Sequence, residues 1–154
     1  MAPSYDWNVE EVRGMNRQRR TKILIQGSPL LAKELADAIL EHYKVIDIVL
    51  PRYGMTMVKM RETAKNSLFY IGEVLMTEAK VEVEGQAGIG MLMGMEDERA
   101  RQLAIIDAAY KAELPQTIEW ETRLLEMEQV LHRDKTKEQA ALFKTKVTFE
   151  TMDI

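Results

Sequence analysis

Asp107 is the carboxylate of this 154-residue chain whose neighbours in sequence set it apart. At about 100° per residue, Ala100, Leu103, Ile106, Tyr110 and Leu114 share one helical face, and Asp107 projects near its middle. A shielded carboxylate must be paired, hydrogen-bonded several times or protonated. Two roles fit: a structural partnership with Arg99, Arg101 or backbone amides, and a carboxylate at an active site or interface. Glu73, Thr77 and Glu78 form a second polar group on the longest strand signal. Glu73 and Glu78 have an odd separation, so a regular strand points them to opposite faces, a poor arrangement for a general acid and base. No Ser–His–Asp set, Schiff-base lysine or metal-ligand grouping assembles with any specificity. The residues alone do not describe a self-sufficient enzyme, and none is assigned a catalytic, cofactor-binding or metal-binding role.

Glycines at 85, 88, 90 and 94 invite a phosphate-loop reading. They do not fit one: position 93 is Met where G-x-G-x-x-G needs its third glycine, and no Gly-Lys-Ser/Thr follows. Gly85 and Gly88 suit a hairpin turn, Gly90 a bulge or close packing, and Gly94 a strand-to-helix corner. The other use of Gly88 and Gly90 is a backbone anion site at the start of the following helix. The chain has no Cys, which excludes disulfides, thiolate zinc sites, iron–sulfur clusters and a cysteine nucleophile. Its two His, at 42 and 132, are far apart in sequence, and His42 reads as a packed or edge residue of an apolar stripe.

Charge and methionine carry the remaining signal. The net charge of −4 argues against a general nucleic-acid binder. Yet Arg13, Arg17, Arg19, Arg20 and Lys22 lie within ten residues that contain no acid. That run is either a solvated leader or helix face, or a contact for an acidic partner surface or phosphate. Met91, Met93 and Met95 share one strand face, as do Met55 and Met57. Methionine adapts to irregular apolar surfaces, so these residues fill an adaptable core or face another subunit.

The elements that must position these groups follow from pattern. Residues 1–15 look weakly structured. A short helix is expected from about Asn16 to Gln26, stopped by a left-handed Gly27. Ser28 as N-cap and Pro29 as first residue open the next, with Leu31, Leu35, Ala38 and His42 on one stripe. Strands are expected at 45–50 and 55–60 around a Pro51–Gly54 turn, then from Leu68 to Glu84 and from Ile89 to Met93. A helix follows from Met95 to Leu114, with acid in its first turn and Pro115 at its end. Thr117 caps a last helix whose stripe is Trp120, Leu124, Met127 and Leu131. Thr136 to Gln139 has capping-box form, and 147–154 reads as a strand or extended arm. The expectation is one α+β domain: an antiparallel meander of about four strands covered mainly on one face by helices. No apolar run reaches membrane-span length and the N-terminus lacks signal-peptide form, so the expected location is cytoplasmic.

Three stretches taken together resemble the PhnG family, a subunit of the bacterial carbon–phosphorus lyase core complex. They are Phe69-Tyr-Ile-Gly-Glu-Val-Leu-Met-Thr-Glu-Ala-Lys-Val81, then Gly85-Gln-Ala-Gly-Ile-Gly90 with Gly94, then Arg99-Ala100 and Leu103-Ala-Ile-Ile-Asp-Ala-Ala109. The arginine-rich start with Ile23-Leu24, the Pro51 to Gly54 segment and Val147-Thr-Phe-Glu-Thr-Met152 resemble it too, whereas 115–146 carry little. The resemblance implies a role in phosphonate degradation with the partner subunits PhnH, PhnI and PhnJ. There the base of a nucleoside triphosphate, typically ATP, is displaced by an alkylphosphonate, giving α-D-ribose 1-methylphosphonate 5-triphosphate. ATP is then a substrate of the complex, and this chain binds no cofactor of its own. The resemblance carries over no catalytic residue. Glu73, Thr77, Glu78, Gly88, Gly90, Met91, Met93, Arg99 and Asp107 are the functional or interface candidates. Two other classes stay open: a stand-alone small-molecule enzyme built around Asp107 and the glycine corner, and a homo-oligomeric scaffold or regulatory module, a homodimer when isolated.

Overall fold

A computed structural model describes residues 15–146. The expected weak structure of 1–14 and the strand or arm at 147–154 lie outside the described residues. Helix α1 (Arg17–Gln26) is capped by Asn16, whose side chain accepts the Arg19 N–H. Gly27 ends α1 in an extended conformation (φ −78°), not the left-handed one expected. Glycine is needed there for space, because a Cβ would sit 2.7 Å from the Ile23 carbonyl oxygen and 2.8 Å from Met127 Cγ. Helix α2 (Pro29–His42) starts on Ser28 and Pro29 as expected, and His42 lies exposed at its end.

Three strands follow in the order β1-β2-β3, antiparallel throughout. They are β1 (Val45–Arg61), β2 (Leu68–Val83) and β3 (Gln86–Met93). The two strands expected on either side of Pro51 are halves of β1, so among the described residues the meander has three strands. Pro51 does not turn the chain because β1 is an edge strand, where a missing N–H is tolerated. It falls in a register irregularity between Val49 and Arg52, and Gly54 then pairs with Met76. The true turn is Glu84-Gly85, both at positive φ (49° and 76°), which joins Val83 to Gln86 in a two-residue hairpin. Gly88 is therefore a strand residue, not part of the turn.

Helix α3 (Asp97–Lys111) lies across β2 and β3. It is the centre of the core: every residue from Leu103 to Ala109 is buried. One sheet face meets it through Thr77, Ala79, Val81 and Val83 of β2 and Gly88, Gly90 and Leu92 of β3. On its other side pack α2, α1 and the start of α4 (Gln116–Lys144). Helix α4 begins after Pro115 without a Thr117 side-chain cap; the Thr117 hydroxyl donates to Leu114 O. It buries Trp120 and Leu124, runs through Thr136 unbroken, and is exposed from His132 to its end. The result is the expected α+β layout, a meander covered by helices on one face.

β3 pairs with β2 only from Met76 to Val83. Beyond that point β1 and β2 continue as a bare two-stranded arm, from Met55/Leu75 to Arg61/Leu68. Met55, Met57, Met60, Leu68, Phe69, Tyr70 and Ile71 on it are 45–59% exposed. No helix among the described residues is long and apolar enough to cross a membrane.

Candidate functional site

A close helix–strand contact positions the most connected carboxylate among the described residues. Ala100, Ala104 and Ala108 repeat every four residues and form a smooth stripe on α3. β3 answers with glycines: a Cβ on Gly88 would lie 2.1 Å from Ala104 O and 2.3 Å from Ala108 N, and one on Gly90 1.9 Å from Ala100 O. This approach brings Asp107 onto the β3 edge, where Oδ2 accepts the Ile89 N–H at 3.0 Å. One turn on, Lys111 Nζ donates to Ala87 O at 2.9 Å and lies 3.2 Å from Asp107 Oδ2. Two outward backbone groups of an edge strand are thereby satisfied, which blunts that edge.

The rest of the Asp107 shell comes from α1. Arg17 donates from both arms of its guanidinium, Nε to Oδ1 at 2.9 Å and a terminal nitrogen to Oδ2 at 3.2 Å. Arg20 reaches Oδ1 at 3.3 Å. Arg20 is buried and its guanidinium lies 3.8 Å from the Tyr110 ring centre, and that ring meets Trp120 edge-on with centroids 5.8 Å apart. Burial lowers the Arg20 pKa below its ordinary value, opposed by Tyr110 and Asp107. Burial also raises that of the Tyr110 hydroxyl, which has no hydrogen-bond partner among the described residues. Asp107 thus accepts four hydrogen bonds on two oxygens, with the Lys111 ammonium 3.2 Å from Oδ2 as a further ion pair. Chemically this is a structural anchor rather than a base with a lone pair to offer.

The expected partners of Asp107, Arg99 and Arg101, go elsewhere. Arg99 donates to the carbonyls of Leu24 and Ile25 (3.2 and 2.8 Å), closing the C-terminal end of α1. Arg101 pairs with Asp47 of β1. Sequence reading missed Arg17, Arg20 and Lys111. The signal was present: arginines at i and i+3 with no local acid, and an Asp–Lys pair at i,i+4.

The remaining candidates divide between the two sheet faces. Thr77 is fully buried; its hydroxyl donates to Gly94 O and accepts the Glu96 N–H at 3.0 Å, fastening the β3–α3 corner to β2. Gly94 itself has positive φ, as its corner role requires. Glu78 lies on the open face, paired with Arg52 and directly across from Met91. Met93 lies opposite Met76 on that face and is 68% exposed. Glu73 stands on the bare arm across from Met57. Pairing is unbroken from 73 to 78, so Glu73 and Glu78 do face opposite ways. The structure brings Asp107, Gly88 and Gly90 together, and separately Glu78 with Met91.

Above Asp107 runs an open groove of about 790 Å³ between α1 and β3. Arg17, Gln18, Thr21 and Lys22 form its polar rim, with Ile25, Ile89 and Met91 as apolar floor. Arg17 and Ile89 belong to both groove and carboxylate shell, so Asp107 fixes the groove wall without facing its contents. Among known families, the phosphonate metabolism protein PhnG matches residues 15–153, including the stretch 115–146. No curated protein matches the sequence. With nearly its whole length matched, the chain belongs to the PhnG family, and its role lies in phosphonate metabolism.

Proposed function

We propose that this chain is an accessory subunit of the carbon–phosphorus lyase pathway. With partner subunits it replaces the base of ATP by an alkylphosphonate, giving α-D-ribose 1-methylphosphonate 5-triphosphate and free adenine. The phosphonate oxygen forms the new bond to C1′ as the C1′–N bond breaks, and the departing base takes up a proton. Such a step needs an oxocarbenium-like ribose stabilised and water kept out, so that phosphonate rather than hydroxide attacks.

The observation that carries the accessory role is the bare β1–β2 arm. A two-stranded hairpin is marginal in water by itself, and this one exposes seven large apolar side chains. A patch of that kind is suited to burial against another protein. The Asp107 shell supports the same reading, because its carboxylate is fully engaged in holding α1, α3 and β3 together. The chain acts by completing or closing a partner's site, in association with PhnH, PhnI and PhnJ. The test is to assay the partner subunits with ATP and methylphosphonate, with and without this chain. The expected result is a shift from ribose triphosphate to the phosphonate adduct on its addition. An unchanged partition between hydrolysis and phosphonolysis would sink the proposal. A stable homodimer indifferent to the partner subunits would favour the scaffold reading, since the same arm could then be covered by a second copy.

A further inference from the structure

A second cleft, which shares Lys22 and Gln26 with the Asp107 groove but opens on the α4 side of α1, lies where α1 crosses α4. Arg19, Lys22 and Gln26 recur at i, i+3 and i+7 on α1, and Glu128, Leu131, His132 and Lys135 at i, i+3, i+4 and i+7 on α4. At these spacings each set forms one helical stripe, and the two stripes line the same cleft of about 240 Å³. Three permanent cations, Arg19, Lys22 and Lys135, meet one carboxylate there, with His132 beside them. Glu128 is already satisfied: Arg19 engages both its oxygens at 2.8 and 2.6 Å. That hydrogen-bonded pairing is the main cause of its lowered pKa, and His132 and Lys22 add to the effect. The side chains of Lys22 and Lys135 make no hydrogen bond or ion pair among the described residues. In a chain of net charge −4 this is a local surplus of positive charge directed into a concavity.

We infer that the α1–α4 cleft binds a phosphorus oxyanion, with Lys22 and Lys135 as its charge contacts and His132 as a further donor. Arg19 is a positioning residue, since its fork neutralises Glu128 and keeps that carboxylate from repelling the ligand. Size favours a phosphate or phosphonate group over a whole drug-sized ligand, which needs a site of roughly 300 Å³ or more. Concavity favours it over an acidic protein surface, whose carboxylates would have to protrude into the cleft. The inference stands on charge and shape and is independent of the reaction proposed above.

The experiment titrates the full-length chain with inorganic tripolyphosphate at pH 7 by calorimetry, with ATP and methylphosphonate in parallel. Saturable one-to-one binding is expected, weakened at least about tenfold by Lys22→Glu with Lys135→Glu. A control, Lys59→Glu with Lys65→Glu on the distant hairpin arm, makes the same change in net charge and should bind as the parent does. Preference for ATP, tripolyphosphate or methylphosphonate tells which source supplies the group. Absence of saturable binding, or equal weakening by the control pair, overturns the inference. So does binding of polyglutamate without tripolyphosphate, which would make the cleft an acidic-protein contact. If circular dichroism shows the charge-reversed pair unfolded, Lys22→Gln with Lys135→Gln makes the same comparison.

Discussion

Both oxygens of Asp107 are occupied before any ligand arrives, and the partners differ in what they lose without it. Arg17 and Lys111 are 57% and 39% exposed in their side chains and can turn to water. Arg20, at 7%, cannot. Asp107→Asn leaves that guanidinium buried beside a neutral amide. Breaking a buried pair costs roughly 3–5 kcal/mol, and with two of three cations free to rehydrate, about 3 kcal/mol is expected. A denaturant titration of the variant reads this directly as a lower midpoint at unchanged slope. Full stability combined with lost activity in the reconstituted complex would instead make Asp107 a functional carboxylate. The burial of Asp107 was legible from helical period alone. Its partners were not, because 87 and 90 residues separate it from Arg20 and Arg17, and only the fold brings α1 over α3.

At the scale of elements, the α3–β3 contact is set by side chains that are absent. Gly90→Ala would place a methyl 1.9 Å from the Ala100 carbonyl and 2.7 Å from the Ala104 nitrogen, both backbone. The helix must lift, and the Ile89–Asp107 bond depends on its height. Overpacking commonly costs 1–3 kcal/mol, and the upper end, about 3 kcal/mol, is expected here as a drop in melting temperature. Gly72→Ala meets nothing within 4 Å and serves as the control, with little change expected. The sequence already pointed to close packing at Gly90. It misassigned Gly88 to a turn, because a glycine kept small by a helix from elsewhere looks the same as one kept for positive φ. Pro51 misled for a related reason: proline with glycine three residues on signals a turn, yet an edge strand absorbs both. Methionine period did place Met91 and Met93 on one face, and that face is the open one.

The whole molecule is a helix-backed body carrying a bare arm, and these parts differ in what holds them. In the body, β2 residues 77, 79, 81 and 83 are fully buried under α3. In the arm, β2 has β1 on one side and, among the described residues, no strand on the other beyond the Gly94 N–H that donates to Leu75 O, and its apolar side chains gain little burial. Amide exchange tracks such differences, since local openings need far less free energy than global unfolding. Amides of β2 from Thr77 to Val83 should therefore exchange at the rate set by global stability. Those of Met55–Arg61 and Leu68–Leu75 should exchange orders of magnitude faster in the isolated chain. Adding the partner subunits should slow the arm selectively, because burial against another protein is what its exposed Met, Phe, Tyr and Ile side chains lack. Protection of the arm in the isolated chain, rising with concentration, would mean that a second copy covers it. An arm that stays fast in the full assembly would remove the arm from the interface and with it the observation on which the accessory role rests.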